Sequence, residues 1–262
     1  MISLAINGLS VTAVEGSTVL EAARENGIRV PTLCYHRALG PTGVCRLCIV
    51  EAEGPELERT VMPSCNLAVS NGLVIETETS SLIGLRSQII ALMLSGTTAS
   101  AELGLLAANS GLRGRKTKTE KTDDCILCGL CVRVCTEIIR AHALCFVPDA
   151  TNDHRVVGPV AFDSGKCIGC GTCAALCPVK AIKVADKGKI RRIMLYGKNV
   201  KKFSLVVCSS CGKPYTTREQ IDFILPRIGS LFYETYDPVC PDCSRMRYTL
   251  ALTGQYPVDH QA

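Results

Sequence analysis

The sequence predicts an α+β chain built from several small units in series, each organised around cysteines. Three observations lead there. Of 262 residues 17 are cysteine, and 16 of these fall into four regularly spaced groups of four. The amino end alternates apolar and polar residues on either side of Asn7-Gly8, a hairpin signal, before helical spacing takes over at Thr18. Leu85 to Ser95 and Ala101 to Ala108 then carry apolar residues at helical intervals without a cysteine between them.

Composition narrows the function classes. Grouped cysteines at this density favour metal centres over a disulfide framework, and unoxidised thiolates suit a reducing cytoplasm. The net charge of +5 is mild and dispersed, too weak to argue for nucleic acid or a membrane surface. Met1 to Ser10 has no basic residue and the first is Arg24, so no secretory signal is expected. The longest apolar run, Leu82 to Leu94, is broken by Arg86, Ser87 and Gln88, so no membrane span is expected. There is no P-loop, no convincing dinucleotide fingerprint, and no Ser/His/Asp constellation to be drawn from four histidines. Tryptophan is absent, which suits small cores organised by metal as well as by side chains.

At the amino end, Ile2 to Ile6 and Ser10 to Val14 read as a hairpin. Thr18 and Glu21 have capping-box spacing for a helix that stops at Gly27. Cys34, Cys45, Cys48 and Cys65 follow as C-x10-C-x2-C-x16-C. Between the last two, Ile49 to Glu53 and Arg59 to Met62 read as a second hairpin, and Leu73 to Thr77 as a further strand. Hairpin, helix, then a cysteine loop is the order of a β-grasp ferredoxin. The quartet is read as a [2Fe–2S] site, with zinc as the alternative; its first gap of ten residues departs from the plant-type spacing. His36 is read as a loop residue, since four cysteines already suffice.

Two later runs share the spacing C-x2-C-x2-C-x3-C. They are Cys125, Cys128, Cys131 and Cys135, then Cys167, Cys170, Cys173 and Cys177 followed by Pro178. This is the two-cluster ferredoxin spacing, in which the fourth cysteine of each run serves the other cluster. On that rule Cys125, Cys128, Cys131 and Cys177 hold one [4Fe–4S] centre, and Cys167, Cys170, Cys173 and Cys135 the second. Gly129, Gly169 and Gly171 allow close approach of backbone N–H groups. The spacer reads as two strands, Ala143 to Val147 and Val156 to Phe162. Cys145, the one cysteine outside the groups, is read as a small core residue.

The tail carries two C-x2-C knuckles, Cys208 with Cys211 and Cys240 with Cys243, separated by 28 residues. Four thiolates in that arrangement suit a structural zinc ribbon. Rubredoxin-type iron is the alternative, disfavoured because Ser244 stands where glycine is usual. Arg218 to Leu225 reads as a helix ended by Pro226, and Arg245 to Leu252 as another.

Pro31-Thr32-Leu33-Cys34-Tyr35-His36, Gly43-Val44-Cys45-Arg46-Leu47-Cys48-Ile49-Val50-Glu51 and Pro63-Ser64-Cys65, followed by the doubled ferredoxin motif, resemble a known iron–sulfur region. It is shared by the large iron–sulfur subunit of respiratory complex I, the iron-only hydrogenases, and the diaphorase iron–sulfur subunits of NAD-reducing hydrogenases. The resemblance covers Met1 to about Lys187. It departs at Gly96-Thr97-Thr98-Ala99-Ser100, where the family carries one His and three Cys for another cluster; a helical connector is expected here instead. The expected domains are a β-grasp [2Fe–2S] domain at 1–78, a helical connector and basic linker at 79–122, a 2[4Fe–4S] ferredoxin domain at 123–190 and a zinc ribbon at 203–254. Arg113 to Lys121 is an exposed linker or, less favoured, a strip for an acidic partner.

The resemblance implies a non-catalytic electron-transfer subunit carrying one [2Fe–2S] and two [4Fe–4S] centres, to which the knuckles of the tail add one expected Zn2+. Its implied partners are a flavin- and NAD-binding subunit and a second catalytic subunit: a hydrogenase, a formate dehydrogenase or a second flavoprotein. Soluble ferredoxin is a further reactant if the flavin partner bifurcates electrons. The alternative is a free-standing polyferredoxin-type carrier. A zinc-ribbon nucleic-acid binder lacks the interleaved aromatics and dense basic face it would need.

Overall fold

The computed structural model describes residues 1–96, 101–110, 112, 125–148, 157–228 and 236–252. The chain divides into two compact units, and each draws on two stretches of sequence. The first comprises 1–162 with 172–181, and the second 163–171 with 182–262. The expected loop at 97–100 and linker at 113–121 lie outside the described residues.

The first unit opens with the hairpin of β1 (Ile2–Ile6) and β2 (Leu9–Ala13). Asn7 and Gly8, both at positive φ, make the turn, and alternation buries Leu4, Ile6, Val11 and Ala13 on one face. Helix α1 (Val19–Glu25) starts at a complete capping box between Thr18 and Glu21 and ends before Gly27, φ +72°. Strands β3 (Ile49–Gly54), β4 (Leu57–Pro63) and β5 (Val74–Glu76) complete a sheet of order β2-β1-β5-β3-β4. Only the central β1–β5 pair is parallel. Ile6, Leu20, Val50 and Ile75 are fully buried between α1 and the sheet. Each contributes roughly 2 kcal/mol through the apolar area it removes from water.

Helices α2 (Ser80–Gly96) and α3 (Ala101–Asn109) follow, as the sequence predicts. They build a second core in which Ile90, Leu94, Leu103 and Ala107 meet Leu33, Leu39 and Leu47 of the first cysteine loop and Leu130 and Val134 of the run from Cys125 to Cys135. Arg86 of α2 is buried, 7% exposed. Its guanidinium donates to the carbonyl oxygens of Leu47 (3.0 Å), Thr77 (2.8 Å) and Ile49 (2.5 Å). The residue that argues against a membrane span is thus the one that fastens α2 to the sheet.

Helix α4 (Leu130–Arg133) runs into a π-helical turn, Val134–Ile138. The hairpin of β6 (Leu144–Pro148) and β7 (Val157–Phe162) and the short helix α5 (Thr172–Leu176) complete this unit. Cys145 corrects the sequence reading: it is exposed on β6 and not a core residue. Alternation along β6 turns Leu144, 4% exposed, inward and the adjacent Cys145 outward.

In the second unit, β8 (Ile182–Lys187), β9 (Ile190–Leu195), β10 (Lys198–Val207) and β11 (Pro214–Thr217) form one antiparallel sheet of order β11-β10-β9-β8. Residues 191–202, which the sequence leaves without an element, supply most of its centre. Helix α6 (Arg218–Ile228) packs Ile221 and Leu225 inward. Pro226 does not end it at Leu225: it lies inside the helix, which runs on to Ile228. Helix α7 (Pro241–Leu252) starts at the second knuckle.

Candidate cluster and metal sites

The first quartet is assembled by the loop after α1 and the ends of β3 and β4. Cys34, Cys45, Cys48 and Cys65 are all buried. The backbone N–H of Cys45 donates to Cys34 Sγ at 3.3 Å, and that of Leu33 to Cys45 Sγ at 3.5 Å. A hydrogen bond from the Cys45 thiol and the loop amides lowers Cys34 to about 5. One from Cys65 and nearby N–H groups lowers Cys48 to about 6. Cys45 and Cys65, the donors of those pairs, are pushed up, with burial adding to the effect. The hydroxyls of Thr42 and Ser64 are buried without an oxygen or nitrogen partner, and they favour negative charge at Cys34 and Cys48 respectively. Four converging sulfurs, amide donors and orphaned hydroxyls fit an anionic iron–sulfide group. His36 Nδ1 accepts from the Ala38 N–H at 3.3 Å, so it closes its own turn.

The loop is braced from behind. Glu21 accepts from the Thr18 N–H at 2.8 Å and from the Tyr35 hydroxyl at 2.8 Å, and Arg24 stacks 4.7 Å from the Tyr35 ring centroid. The helix cap therefore also holds Tyr35, the residue after Cys34.

Cys128 lies in the loop just before α4, and Cys131 on α4 itself. Burial pushes Cys128 up to about 12, and raises Cys131 as well. The charges of Cys125 and Cys177 act on both thiols. Buried thiols this reluctant to ionise fit a site in which iron supplies the compensating charge. Cys128 also feels Cys34, and the two share one apolar core with Cys45. The first quartet and this one are thus neighbours across packed side chains.

The other predicted quartet is divided between the units. In the first unit Cys135 lies on the π-helical turn and accepts from the Ala143 N–H at 3.3 Å, while Cys173 of α5 acts on Cys131. In the second unit Cys167 and Cys170 lie in a loop backed by β9, β10 and β11. The backbone repeats between runs: Leu127 and Gly169 have φ of +54° and +73°, and Gly129 and Gly171 have +77° and +79°.

In the tail, the sulfurs of Cys208, Cys211, Cys240 and Cys243 all lie within 4.8 Å of one another. The Cys211 and Cys240 sulfurs are 3.8 Å apart. A tetrahedron with metal–sulfur bonds of about 2.3 Å has edges of roughly 3.8 Å, so the quartet fits one mononuclear tetrahedral ion. Donation from the Cys240 N–H, at 3.2 Å, is the first cause lowering Cys208 to about 6. The knuckles are tied together by Ser209, which donates from its N–H to Pro238 O at 2.8 Å and from its hydroxyl to Asp237 at 2.7 Å.

Comparison with known proteins gives the chemistry a family setting. The profile of the 2Fe-2S iron-sulfur cluster binding domain matches residues 1–80, and that of the 4Fe-4S binding domain matches residues 160–183. The chain is 32% identical over 202 residues to the NADPH-Fe(3+) oxidoreductase subunit alpha of Geobacter sulfurreducens, covering 68% of this chain and 23% of that protein. It is 31% identical over 210 residues to an NADH-quinone oxidoreductase subunit of Rhizobium meliloti, covering 70% and 24%. It is 30% identical over 215 residues to the NADP-reducing hydrogenase subunit HndD of Solidesulfovibrio fructosivorans, covering 70% and 36%. The chain thus spans between 23% and 36% of the length of these relatives. A solved NAD+-reducing [NiFe]-hydrogenase is similar at 28% identity and a TM-score of 0.48, over 56% of this chain and 70% of that one. The chain is an iron–sulfur protein with a 2Fe-2S cluster binding domain and a 4Fe-4S binding domain, related to subunits of NAD(P)H-linked oxidoreductases and hydrogenases.

Proposed function

We propose that this chain is an electron-transfer subunit that relays single electrons between a flavin- and NAD-binding subunit and a second catalytic oxidoreductase subunit. The observation that carries the reading is the shared core. Cys34 and Cys45 of the first quartet and Cys128 of the next are packed with the same leucines. Adjacent redox sites separated by close-packed side chains are what a relay requires. In this reading Cys34, Cys45, Cys48 and Cys65 hold one [2Fe–2S] centre. Cys125, Cys128, Cys131 and Cys177 hold one [4Fe–4S] centre, and Cys135, Cys167, Cys170 and Cys173 hold the other. Cys208, Cys211, Cys240 and Cys243 hold Zn2+. The proposed domains are 1–78, 79–122, 123–190 and 203–254.

When bound, the clusters supply one-electron storage, so the two electrons of a nicotinamide leave a flavin partner in separate steps. The chain's residues hold the thiolates, exclude water between the first two sites, and donate N–H groups to the sulfurs. The second catalytic subunit is a hydrogenase, a formate dehydrogenase or a second flavoprotein, with soluble ferredoxin a further reactant where electrons are bifurcated. The reducing cytoplasm is the proposed compartment. Among the described residues no helix is long and apolar enough to cross a membrane.

Metal analysis of anaerobically purified protein tests the inventory, with about ten irons and about one zinc expected per chain. Activity tests the relay. The isolated chain should not oxidise NADH, whereas the complete complex should turn over. Cys177→Ser should stop that turnover and leave dye reduction at the flavin subunit intact. Full turnover of the Cys177→Ser complex would sink the relay. Purification of the native chain without stoichiometric partners would favour a free-standing carrier.

A further inference from the structure

Three side chains of the second unit hold three successive carbonyl oxygens of the cysteine loop at 167–170. Lys201 Nζ donates to Cys167 O at 3.0 Å, and to Ser164 O at 2.6 Å. Thr217 Oγ1 donates to Ile168 O. Arg191 Nη1 donates to Gly169 O at 3.0 Å, its guanidinium fixed by Asp186 at 2.8 and 2.9 Å. The donors come from β10, β11 and β9, three adjacent strands. The loop lies flush on this surface: a Cβ on Gly169 would stand 2.7 Å from Thr217 Cγ2 and 3.1 Å from the Phe203 ring.

A trans peptide plane points its C=O and N–H to opposite sides, and there is no cis bond among the described residues. With the three carbonyls turned to the sheet, the N–H groups of Ile168, Gly169 and Cys170 face away from it. The first run shows where such a group goes. Leu127, two residues after Cys125, donates its N–H to Cys125 Sγ at 3.4 Å. Gly169 stands at the same place after Cys167, with the same sign of φ.

We propose that Lys201, Thr217 and Arg191 are positioning residues that aim the amides of the 167–170 loop at a bound [4Fe–4S] centre and raise its reduction potential. This rests on the reading of Cys167 and Cys170 as cluster ligands. Reduction adds one electron, and so one negative charge, to a centre that is already anionic. Amide donors to the sulfurs and two cationic side chains beside the ligand loop stabilise the more negative state. The sheet of the second unit thereby acts on redox chemistry, not only on stability.

Redox titration of the cluster-loaded chain, followed by electron paramagnetic resonance, is the test. In Lys201→Met, one cubane should show a reduced-to-oxidised ratio roughly tenfold lower at a fixed potential, about 59 mV for a one-electron couple. The other two centres should hold their potentials. Lys202→Met removes the same charge from the exposed neighbour and should move none. Thr217→Val changes no charge and should shift the same cubane in the same direction, whereas Thr217→Ser should not. If Lys201→Met loses that cubane, the Thr217→Val and Thr217→Ser pair decides. Unchanged potentials in iron-replete Thr217→Val and Lys201→Met overturn the proposal, as does loss of the cubane in Lys201→Met beside an unshifted Thr217→Val. Cys170→Ser is read separately: if both cubane signals survive it, the ligand assignment has failed.

Discussion

Arg133 Nη1 donates to the carbonyl oxygen of Gly40 at 2.5 Å, across 93 positions of sequence. Arg133 stands between Cys131 and Cys135, and Gly40 lies midway along the loop from Cys34 to Cys45. The same guanidinium pairs with Glu137 at 2.8 and 3.1 Å, which holds it in place for the tether. One side chain thus joins the loop of the first quartet to the helix that carries Cys131. Arg133→Met should lower stability by about 2 kcal/mol, the usual worth of a hydrogen bond from a charged donor. Denaturant titration of the anaerobic, cluster-loaded protein measures it, and an unchanged midpoint would show the tether to be incidental.

Arg86 predicts a larger loss. Its guanidinium satisfies three carbonyls that flank Cys48 and end β5, in a place that water does not reach. Arg86→Met keeps much of the side-chain volume but strands those oxygens. A cost of roughly 3 to 5 kcal/mol is expected, since each buried orphan costs about 1–3 kcal/mol and neighbouring losses do not add fully. Arg86→Lys should recover only part, because one ammonium cannot reproduce the guanidinium's planar fork. The readout is again the denaturation midpoint, with retained iron confirming that the cluster sites still assemble.

Cys45→Ser should remove the [2Fe–2S] resonance and leave both cubane resonances present. Because Cys34, Cys45 and Cys128 share a core, the reduced wild-type protein should show magnetic interaction between the [2Fe–2S] centre and one cubane. In the variant that cubane should lose its broadening while keeping its intensity. Identical cubane line shapes in the two proteins would place the centres too far apart for the proposed relay.

The brace behind the first loop should respond to acid. The Thr18 N–H holds the Glu21 carboxyl below the usual carboxylate range, with the hydroxyls of Tyr35 and Thr18 and the charge of Arg24 adding. A carboxyl lowered by folding contributes stability that is fully present above its unfolded pKa and lost as pH falls through the folded one. Glu21→Gln should therefore be less stable than wild type at neutral pH. The gap should close as the pH drops below the ordinary range for glutamate. Parallel stability curves for the two proteins across acid pH would remove Glu21 from the account.

What the sequence shows depends on how local the determining physics is. The Asn7-Gly8 turn, the Thr18–Glu21 cap and helices α2 and α3 are all legible, because each is set by neighbours along the chain. Arg86 reads only as a break in an apolar run; its burial depends on carbonyls 9 to 39 residues away. Lys201 and Arg191 carry no sequence signal for the same reason: the carbonyls they hold lie 34 and 22 residues away. Residues 190–195 and 198–207 form two central strands although their arginines and lysines blur the alternation. Cys145 reads as inward on residue type, and the register of β6 turns it out.

The clasp on the loop at 167–170 also bears on inheritance. A gene shortened to end at residue 190, where the doubled motif looks finished, would delete Lys201, Phe203 and Thr217 and leave Gly169 facing nothing. The same hazard meets any fusion that exchanges the tail for another. A bulkier residue at Thr217 would meet Gly169 at once, because the present contact leaves no room for a methyl group. Motif and tail must therefore be transmitted together, and change on one side of that contact restricts change on the other.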